Sequence, residues 1–394
     1  MKISIDLRPL QSGHQHRGIG KYIANVVPAL FRVGKQHEFY CYHYGDEPPK
    51  LSYVSPSVKF ISLGNYDPGS FSSKLYRKLF MHQPGLKESV QADVFFQPDI
   101  GFGLSKNTPT VVTLYDLIPI IYREKYFVPR KKPGFLRPFW DMRNEQVFQQ
   151  FMRLNARYAL VDRIVSISQA SIDDLHKVFP NTSSVPYTVT PLAAQELPAP
   201  SKKKMNKKPY MLYVGGTDSR KNLMQLVDMY EEALKRGANV DLVFIGYDFE
   251  QSKFYDTARL LKHIDKSPVK KRIKVIGYAD DADLATYYSQ AQALLFASEY
   301  EGFGMPILEA MQSGCPVICF KNSSIPEVAG DAAIMVSTAD DFIDGIVELA
   351  KSEKLHQELV RKGKKQAAGF TWENTAMLTL KALENSADKK SINR

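Results

Sequence analysis

The sequence predicts an α/β fold of two doubly wound domains, each with a mostly parallel sheet. Three observations support this prediction. The chain has 394 residues, more than one hydrophobic core normally serves. Short apolar segments alternate with segments of helical periodicity, which is typical of a parallel sheet covered by helices. The alternation stops in residues 196–208, which are rich in lysine and proline, and then starts again, so we expect a linker there.

The first domain is predicted to span residues 1–195. Apolar runs bounded by turn residues predict strands at 2–6, 38–43, 58–63, 92–96, 110–114, 163–167 and 187–190. Helical periodicity predicts helices at 22–31, 72–90, 145–160 and 171–179.

The second domain is predicted to span residues 209–370. Its strands are expected at 210–214, 240–245, 274–276, 293–296, 316–320 and 333–336, and its helices at 222–236, 283–290 and 305–312. Two closing helices are predicted at 340–368 and 371–386. The last is long enough to return to the first domain, so residues 371–394 are assigned to that domain as a crossover helix.

Composition excludes several protein classes. With 44% apolar and 24% charged residues, the chain suits a globular protein and neither a disordered nor a collagen-like one. Three cysteines (Cys41, Cys315 and Cys319) form neither an even disulfide framework nor a zinc site, which favours a reducing cytosol. The first residues lack the apolar run of a signal peptide, and no window approaches 18 apolar residues, so we expect a cytoplasmic chain that does not span a membrane.

The net charge of +10 is unevenly distributed. Residues 1–195 hold 24 Lys and Arg against 15 Asp and Glu, or +9, and the remaining residues hold +1. Such asymmetry indicates an anionic partner for the first domain, which could be nucleic acid, acidic lipid or a phosphorylated substrate. Charge alone does not choose among them.

The loop that follows the predicted strand 210–214 resembles an anion site. Gly215 and Gly216 end the strand, and Arg220 and Lys221 stand where a helix begins. Backbone N–H groups, the helix dipole and two cations together suit a diphosphate. A turn with two solvated cations explains this segment, taken alone, equally well.

A second loop, residues 299–309, joins the strand 293–296 to a helix. Its glycines allow close approach of a ligand to the backbone, and Pro306 suits a first helical turn. Glu301 and Glu309 are separated by seven residues, so a loop followed by one helical turn can direct both carboxylates at one small ligand.

Together with further motifs, the two loops make this chain resemble the retaining nucleotide-sugar glycosyltransferases of family 4. Those enzymes have the two-domain glycosyltransferase-B (GT-B) architecture. Among the branches of that family it is most similar to bacterial mannosyltransferases of O-antigen and exopolysaccharide synthesis. The resemblance implies two Rossmann-like domains that face a cleft. It rests on the two loops above and on residues 17–20, 115–119, 162–168, 277–278, 313–316, 324–331 and 370–372.

The resemblance also implies roles for individual residues. Arg220 and Lys221 would neutralise the donor diphosphate, Glu301 would contact hydroxyls of the transferred sugar, and Glu309 would hold the ribose hydroxyls. Backbone groups of four consecutive residues would approach the sugar and phosphate: Gly302, Phe303, Gly304 and Met305. Other donor contacts would come from Gly215, Gly216, Gly277 and Tyr278, the last two at the nucleobase, and from Arg17 and Gly18, whose loop would close over the phosphates.

In this family, retention of the sugar's anomeric configuration is attributed to attack by the acceptor on the same face that the diphosphate leaves. A phosphate oxygen of the leaving group takes the proton of the acceptor hydroxyl. The resemblance therefore implies neither a protein nucleophile nor a metal or other cofactor. Asp281-Ala-Asp283 matches a metal-binding DxD pattern, but it stands at the start of a predicted helix, where we favour aspartates as N-caps.

One position departs from the family pattern. The family commonly has a histidine before the aspartate at the end of the strand 110–114, where this chain has Tyr115-Asp116. A phenol with a pKa near 10 is a poor proton acceptor, although it can hydrogen-bond a sugar hydroxyl. Tyr115 could instead pack in the strand, and Asp116 could orient the acceptor hydroxyl or cap the following turn.

Residues 122–143 mix cations with aromatic side chains, among them Arg130, Lys131, Lys132 and Trp140. This mixture is typical of a membrane surface, and also of a nucleic-acid patch or of a loop whose aromatics pack inward. Because no nucleic-acid fold signature is present and the family builds lipid-carried glycans, we expect an anionic membrane or lipid diphosphate and no nucleic acid.

The resulting expectation is an enzyme, peripheral at the inner face of the cell membrane, that moves mannose from GDP-mannose onto a lipid-linked saccharide. The alternatives are a transferase that uses UDP- or dTDP-sugars to move glucose, GlcNAc or rhamnose, a noncatalytic protein that binds sugar nucleotides, and a basic nucleic-acid binder.

Overall fold

The computed structural model describes residues 1–13, 18–64, 88–105, 107–127, 137–251 and 254–392, with the backbone alone in 137–140 and 389–392. Nearly all of the predicted helix 72–90 lies outside these ranges. The chain divides into two compact units, Met1–Leu192 together with Trp372–Arg394, and Ala193–Thr371.

The first unit contains a parallel sheet of seven strands: β1 (Lys2–Asp6), β2 (Glu38–His43), β3 (Val58–Ser62), β4 (Val94–Gln97), β5 (Thr110–Leu114), β6 (Arg163–Ser166) and β7 (Tyr187–Val189). The strand order is β3-β2-β1-β4-β5-β6-β7. The progression of the strand order therefore reverses between β1 and β4, where open sheets of this kind hold their ligands. Buried strands such as β4 and β5 read as almost continuous apolar runs because helices cover both faces of the sheet.

Five described helices precede the second unit: α1 (Gly18–Val33), α2 (Ile118–Ile121), α3 (Arg123–Phe127), α4 (Arg137–Ala156) and α5 (Gln169–Val178). Short 3-10 turns lie at Arg8–Gln11, Arg157–Leu160 and Pro180–Thr182. Helix α1 buries Ile23, Val26, Val27 and Leu30, a spacing that places all four on one face.

The second unit contains a parallel sheet of six strands: β8 (Tyr210–Val214), β9 (Asp241–Ile245), β10 (Ile273–Ile276), β11 (Ala293–Phe296), β12 (Val317–Phe320) and β13 (Ile334–Val336). Their order, β10-β9-β8-β11-β12-β13, is that of a dinucleotide-binding fold, with the reversal between β8 and β11.

Around this sheet lie α6 (Leu223–Lys235), α7 (Tyr255–Lys266), α8 (Asp281–Gln290), α9 (Met305–Gln312) and α10 (Ile325–Ala329). The sequence did not predict α7. Its buried face is Thr257, Leu260 and Ile264, which have helical spacing but stand among charged residues.

The predicted closing helix 340–368 is two helices, α11 (Ala339–Lys351) and α12 (Glu353–Ala367). They are separated at Ser352, whose side chain caps α12 by accepting the N–H of Leu355. Helix α13 (Trp372–Ile392) belongs to the first unit. It packs on α1, where the rings of Trp372 and Tyr22 lie 6.2 Å apart.

The predicted linker, residues 196–208, is part of the second unit, which begins at Ala193. Two backbone N–H groups hold it to α8, with Ser201 N 2.9 Å from Thr286 Oγ1 and Met205 N 3.0 Å from Gln290 Oε1. The Met205 side chain is buried. One methionine among lysines was too weak a signal to predict this packing.

Candidate active site

The loops that follow β8 and β11 meet at the carboxyl edge of the second unit's sheet, beside the reversal of strand order. We call this edge the donor edge and define it by residues 215–221 and 299–304. The N–H of Glu299 donates to the carbonyl of Arg220 at 2.8 Å, which joins the two loops directly. The Tyr213 hydroxyl donates to the carbonyl of Gly216 at 2.6 Å and holds the first loop to its own strand.

Arg220 and Lys221 lie in a 3-10 turn, Ser219–Lys221, rather than in the helix that follows. The carboxylate of Asp218 caps this turn by accepting the N–H of Arg220 at 3.1 Å. Asn222 then takes a left-handed conformation with φ 59°, and α6 begins after it. The turn sets the two cations next to each other before the helix starts.

Both cations contact the carboxylate of Glu301. Arg220 Nη1 lies 2.7 Å from Glu301 Oε2, and Lys221 Nζ lies 2.6 Å from Glu301 Oε1. The three side chains are 17%, 12% and 8% exposed, in the order Arg220, Lys221, Glu301. Asp218 is more exposed and its Oδ1 lies 3.8 Å from Arg220 Nε. We call Glu301, Arg220 and Lys221 the Glu301 triad; the sequence predicted its members but not their mutual contact.

The electrostatics of the triad keep Glu301 ionised. Burial by itself would raise the pKa of Glu301, but the charges of Lys221 and Arg220 outweigh burial and bring that pKa to about 2. Burial lowers the pKa of Lys221, while the charge of Glu301 opposes that shift. At neutral pH the Glu301 carboxylate therefore only accepts hydrogen bonds.

Two serines after β12 hold the Glu301 loop. Ser323 Oγ accepts the N–H of Glu301 at 3.0 Å, and Ser324 Oγ donates to the carbonyls of Glu301 and Phe303 at 3.0 and 2.9 Å. The sequence did not assign these serines a role. Their position in the sequence could have indicated this role. Both serines follow β12, the neighbour of β11, and the carboxyl ends of parallel strands meet at one edge of a sheet.

Glu309 lies on α9, which begins after Gly304. The φ of Gly304 is 106°, a conformation that favours glycine, and it turns the chain from the loop into the helix. Glu309 Oε2 accepts a hydrogen bond from the Tyr288 hydroxyl at 3.1 Å. Burial and the charge of Glu309 raise the pKa of Tyr288 well above its usual value. The role of Glu309 toward a ribose stays a prediction.

The four residues predicted to contact sugar and phosphate through their backbone span the end of the loop and the start of α9. Gly302 and Gly304 flank Phe303, whose buried ring packs 6.1 Å from the ring of Phe370. Met305 is the first residue of α9. Phe303 therefore anchors the segment with its side chain, and contact of these backbone groups with a ligand stays a prediction.

Gly277 and Tyr278 are the two residues predicted to contact the nucleobase. The carbonyl of Gly277 accepts the N–H of Gly246 at 3.1 Å. The N–H of Tyr278 donates to Glu250 Oε1 at 2.7 Å, and the Tyr278 side chain is 65% exposed. Glu250 was not among the predicted site residues because its turn carries no motif.

The DxD pattern stands at the start of α8, but the N-cap is Asp280, one residue before it. The carboxylate of Asp280 accepts the N–H of Asp283 at 2.8 Å. Asp281 Oδ2 accepts a hydrogen bond from Gln195 Nε2 at 3.0 Å, and Asp283 lies 3.6 Å from Lys203. All three aspartates thus have contacts that belong to the fold.

In the first unit, the described side chains at the end of β5 bond to nearby backbone. The Tyr115 hydroxyl donates to the carbonyl of Pro98 at 2.8 Å, and its ring lies edge-on to Tyr22. Asp116 Oδ1 accepts the N–H of Ile118 at 2.9 Å, which is the predicted capping of the following turn. Gly18 is the first residue of α1, and Arg17 lies outside the described residues.

Of the basic and aromatic stretch 122–143, Arg130, Lys131, Lys132 and the side chain of Trp140 lie outside the described residues. Within the described part, Arg123 pairs with Glu145 and lies 4.3 Å from the ring centre of Phe148. Phe127 packs on the same ring. This portion of the stretch packs on α4. In the part of the chain that the structure describes, no helix has the length and apolar character needed to cross a bilayer.

Comparison with protein families shows which family includes the residues of the donor edge. Residues 195–366 match the family described as "Glycosyl transferases group 1". This domain is a group 1 glycosyltransferase domain. The match covers both loops of the donor edge, the Glu301 triad and Glu309, and it confirms the resemblance to the family-4 glycosyltransferases.

Similar curated proteins include mannosyltransferases. The chain is 32% identical over 192 residues to the O-antigen chain mannosyltransferase B of Escherichia coli, covering 48% of this chain and 49% of that protein. It is 24% identical to the serotype-specific mannosyltransferase WbdA of Escherichia coli over 96% of this chain and 47% of that protein. The chain thus spans about half the length of the curated relatives it matches.

Solved structures show the fold of this chain. A sucrose-phosphate synthase from Thermosynechococcus elongatus has a TM-score of 0.67 at 18% identity and covers 97% of this chain and 98% of its own. WaaG, a glycosyltransferase involved in lipopolysaccharide biosynthesis, has a TM-score of 0.55 at 14% identity and covers 98% of both chains. The predicted fold class, α/β with two Rossmann-like domains of the GT-B type, is confirmed.

Proposed function

We propose that this chain is a retaining glycosyltransferase that moves mannose from GDP-mannose onto a lipid-linked saccharide in bacterial cell-surface polysaccharide synthesis. The family of residues 195–366 and the mannosyltransferases among its relatives support this proposal. The O-antigen named for one relative supports the proposed acceptor class.

The observation that carries the proposal is the Glu301 triad at the reversal of strand order. Two cations at most 17% exposed meet on one carboxylate, at the edge where doubly wound sheets bind nucleotides. Charges this far from water need anionic partners. A diphosphate offers such partners to both cations, and charge-assisted hydrogen bonds to it are each worth about 1.5–3 kcal/mol.

The proposed mechanism uses these groups to stabilise the leaving diphosphate. Arg220 and Lys221 offset the negative charge that grows as the bond between sugar and phosphate breaks, so electrostatic stabilisation lowers the barrier. Glu301, ionised at neutral pH, accepts hydrogen bonds from sugar hydroxyls and positions the sugar. A leaving phosphate oxygen takes the acceptor's proton on the face that it leaves. The proposal needs neither a protein nucleophile nor a metal.

We further propose that the protein works at the inner face of the membrane, where a lipid-linked acceptor is found. The charge of +9 in residues 1–195 supports this location, because each cation near anionic lipid contributes about 1 kcal/mol. Binding to vesicles with phosphatidylserine should weaken with salt and be lost when Arg130, Lys131 and Lys132 are changed to glutamine. Equal binding of the triple variant would contradict the proposed surface.

The test of the activity is transfer from radiolabelled GDP-mannose to lipid-linked saccharide acceptors by the full chain. Glu301→Ala and Lys221→Ala should each lower transfer by about 100-fold or more, the loss typical of an electrostatic catalytic group. Lys235→Ala is the matched control, because Lys235 pairs with Glu232 on the exposed side of α6. Unchanged transfer in both site variants would contradict the assignment.

A thermal-shift screen separates this proposal from its alternatives. GDP-mannose should raise the melting temperature more than UDP- or dTDP-sugars, since stabilisation grows with the logarithm of ligand concentration over Kd. Selective stabilisation by a UDP- or dTDP-sugar would replace mannose with another donor. Donor binding without transfer to any acceptor would favour a noncatalytic sensor.

A further inference from the structure

An exposed carboxylate and an exposed aromatic ring lie together where β9 and β10 end. Glu250 closes the 3-10 turn Tyr247–Glu250 after β9, and Gly277-Tyr278 follow β10. Glu250 Oε1 accepts the N–H of Tyr278 at 2.7 Å, so the carboxylate is tied to the neighbouring strand end.

Close packing holds Glu250 in this place. A Cβ built on Gly277 would lie 2.3 Å from Glu250 Cγ and 2.4 Å from its Oε1, closer than atoms approach without a bond. Residue 277 therefore must be small for the Glu250 side chain to lie across it. The carboxylate is consequently positioned by a backbone donor on one side and by a glycine beneath it.

Two tyrosine side chains on these loops are exposed and therefore accessible to a flat ligand. Tyr278 is 65% exposed and Tyr247, in the same turn as Glu250, is 59% exposed. These two differ from tyrosines of the same sheet such as Tyr210 and Tyr213, which are almost fully buried. Aromatic side chains stack on nucleobases of any type, so stacking supplies affinity without selectivity.

We propose that Glu250 selects guanine in the nucleotide of the donor; this inference rests on the proposed function, which places a nucleotide at this edge. An ionised carboxylate has about four lone-pair positions, of which the Tyr278 N–H uses one. Guanine presents two adjacent donors, N1–H and the 2-amino group, to such an acceptor. Uracil and thymine place carbonyl oxygens on both sides of N3–H, and adenine presents N1 as an acceptor, so the carboxylate disfavours them.

The competing explanation is that Glu250 only ties the end of β9 to the end of β10. Glu250→Gln separates the two roles. Glutamine keeps a carbonyl oxygen for the Tyr278 N–H and the same length, but it replaces the other acceptor with an NH₂ donor. The loop contact therefore survives, and the recognition of guanine donors does not.

The experiment is calorimetric titration of the full chain with GDP, IDP and UDP. IDP is GDP without the 2-amino group, so the ratio of GDP to IDP affinity isolates that group. For the wild type we expect GDP to bind about tenfold more tightly than IDP and UDP, which corresponds to about 1.4 kcal/mol. In Glu250→Gln the advantage over IDP should disappear while UDP affinity stays within about twofold, given ordinary context effects.

Two further variants complete the test. Glu353→Gln, a change at the start of α12, is the matched control and should keep the wild-type preference. Gly277→Ala, whose Cβ displaces the Glu250 side chain, should lose GDP preference as Glu250→Gln does.

The outcomes separate this inference from the function on which it rests. Equal losses for GDP, IDP and UDP in Glu250→Gln would show a structural role only, and an unchanged GDP to IDP ratio would also overturn the proposal. If the wild type prefers UDP, guanine selection is wrong while a nucleotide-sugar transferase remains. If the wild type binds none of the three, the proposed function itself fails, and the inference falls with it.

Discussion

Both units place a buried ion pair where their sheets reverse strand order, but the pairs differ in design. In the first unit, Asp6 is the last residue of β1 and Arg8 lies two residues further on. Asp6 Oδ2 lies 2.7 Å from Arg8 Nη2, and Asp6 Oδ1 lies 2.9 Å from Arg8 Nε. The Arg8 guanidinium also lies 5.0 Å from the ring centre of Phe102. The two residues are close in the chain, and two hydrogen bonds join the guanidinium of Arg8 to both carboxylate oxygens of Asp6. One cation and one carboxylate therefore satisfy each other.

In the second unit, Glu301 contacts two cations on a different loop, of which Lys221 lies 80 residues away in the chain and Arg220 is its neighbour. Each cation takes one oxygen of this shared carboxylate, and Arg220 also lies 3.8 Å from Asp218 Oδ1. We propose that an incoming diphosphate supplements or replaces the Glu301 oxygens. The same fold thus uses buried charge at one reversal to hold a strand end and at the other, in our proposal, to prepare a ligand site.

The largest effect is expected when the ion pair between Asp6 and Arg8 is broken. Asp6→Asn leaves the buried Arg8 without its charged partner and should lower the free energy of unfolding by about 3–5 kcal/mol. Urea unfolding measures this change. GDP affinity of the folded variant should equal that of the wild type, because the pair serves the fold; a loss below about 1 kcal/mol, the range of exposed pairs, would contradict its structural role.

A slightly smaller effect concerns the pH dependence of the triad. The pKa of Glu301 falls from an ordinary 4.5 to about 2 in the folded chain. Its ionised form therefore adds stability above about pH 4.5, and this contribution, on the order of 3 kcal/mol, is lost as pH falls toward 2.

Urea unfolding of the wild type and Glu301→Gln between pH 7 and pH 3 measures this difference. The wild type should lose more stability than the variant over this range. At pH 7, GDP should raise the melting temperature of Glu301→Gln more than that of the wild type, since it replaces the missing anion. Parallel pH profiles in both proteins would show that Glu301 is not held by the cations.

The smallest effect concerns Tyr115 in the first unit. Tyr115→Phe removes the hydrogen bond to the Pro98 carbonyl and should cost about 1 kcal/mol of stability, as one neutral hydrogen bond does. Transfer activity should stay within about twofold, given ordinary context effects. A tenfold loss of kcat with an unchanged melting temperature would instead place the phenol in the reaction.

The sequence was sufficient to predict both sheets and the members of the triad, for physical reasons. Buried strands such as β5 and β11 read as short apolar runs, and the glycine-rich loops after β8 and β11 mark the ends of neighbouring strands. It could not predict that Glu301 pairs with both cations, because spacing along one loop says nothing about contact with another.

Other features were missed because their signals are weak or local. In helix α7 the buried residues stand among charged ones, and the segment 196–208 reads as a linker although Met205 is buried. Glu250 lies in a short turn without a motif, and its place over Gly277 depends on the pairing of β9 with β10. Such long-range contacts are set by the sheet topology rather than by local pattern.

The central claim is that Arg220 and Lys221 form the diphosphate site of a nucleotide-sugar transferase. Calorimetric titration of GDP into the wild type, Lys221→Ala and the control Lys235→Ala tests it most directly. We predict that Lys221→Ala weakens GDP binding by at least about tenfold, the loss of one charge-assisted hydrogen bond, while the control keeps the wild-type Kd. Equal Kd values in all three proteins would contradict the claim.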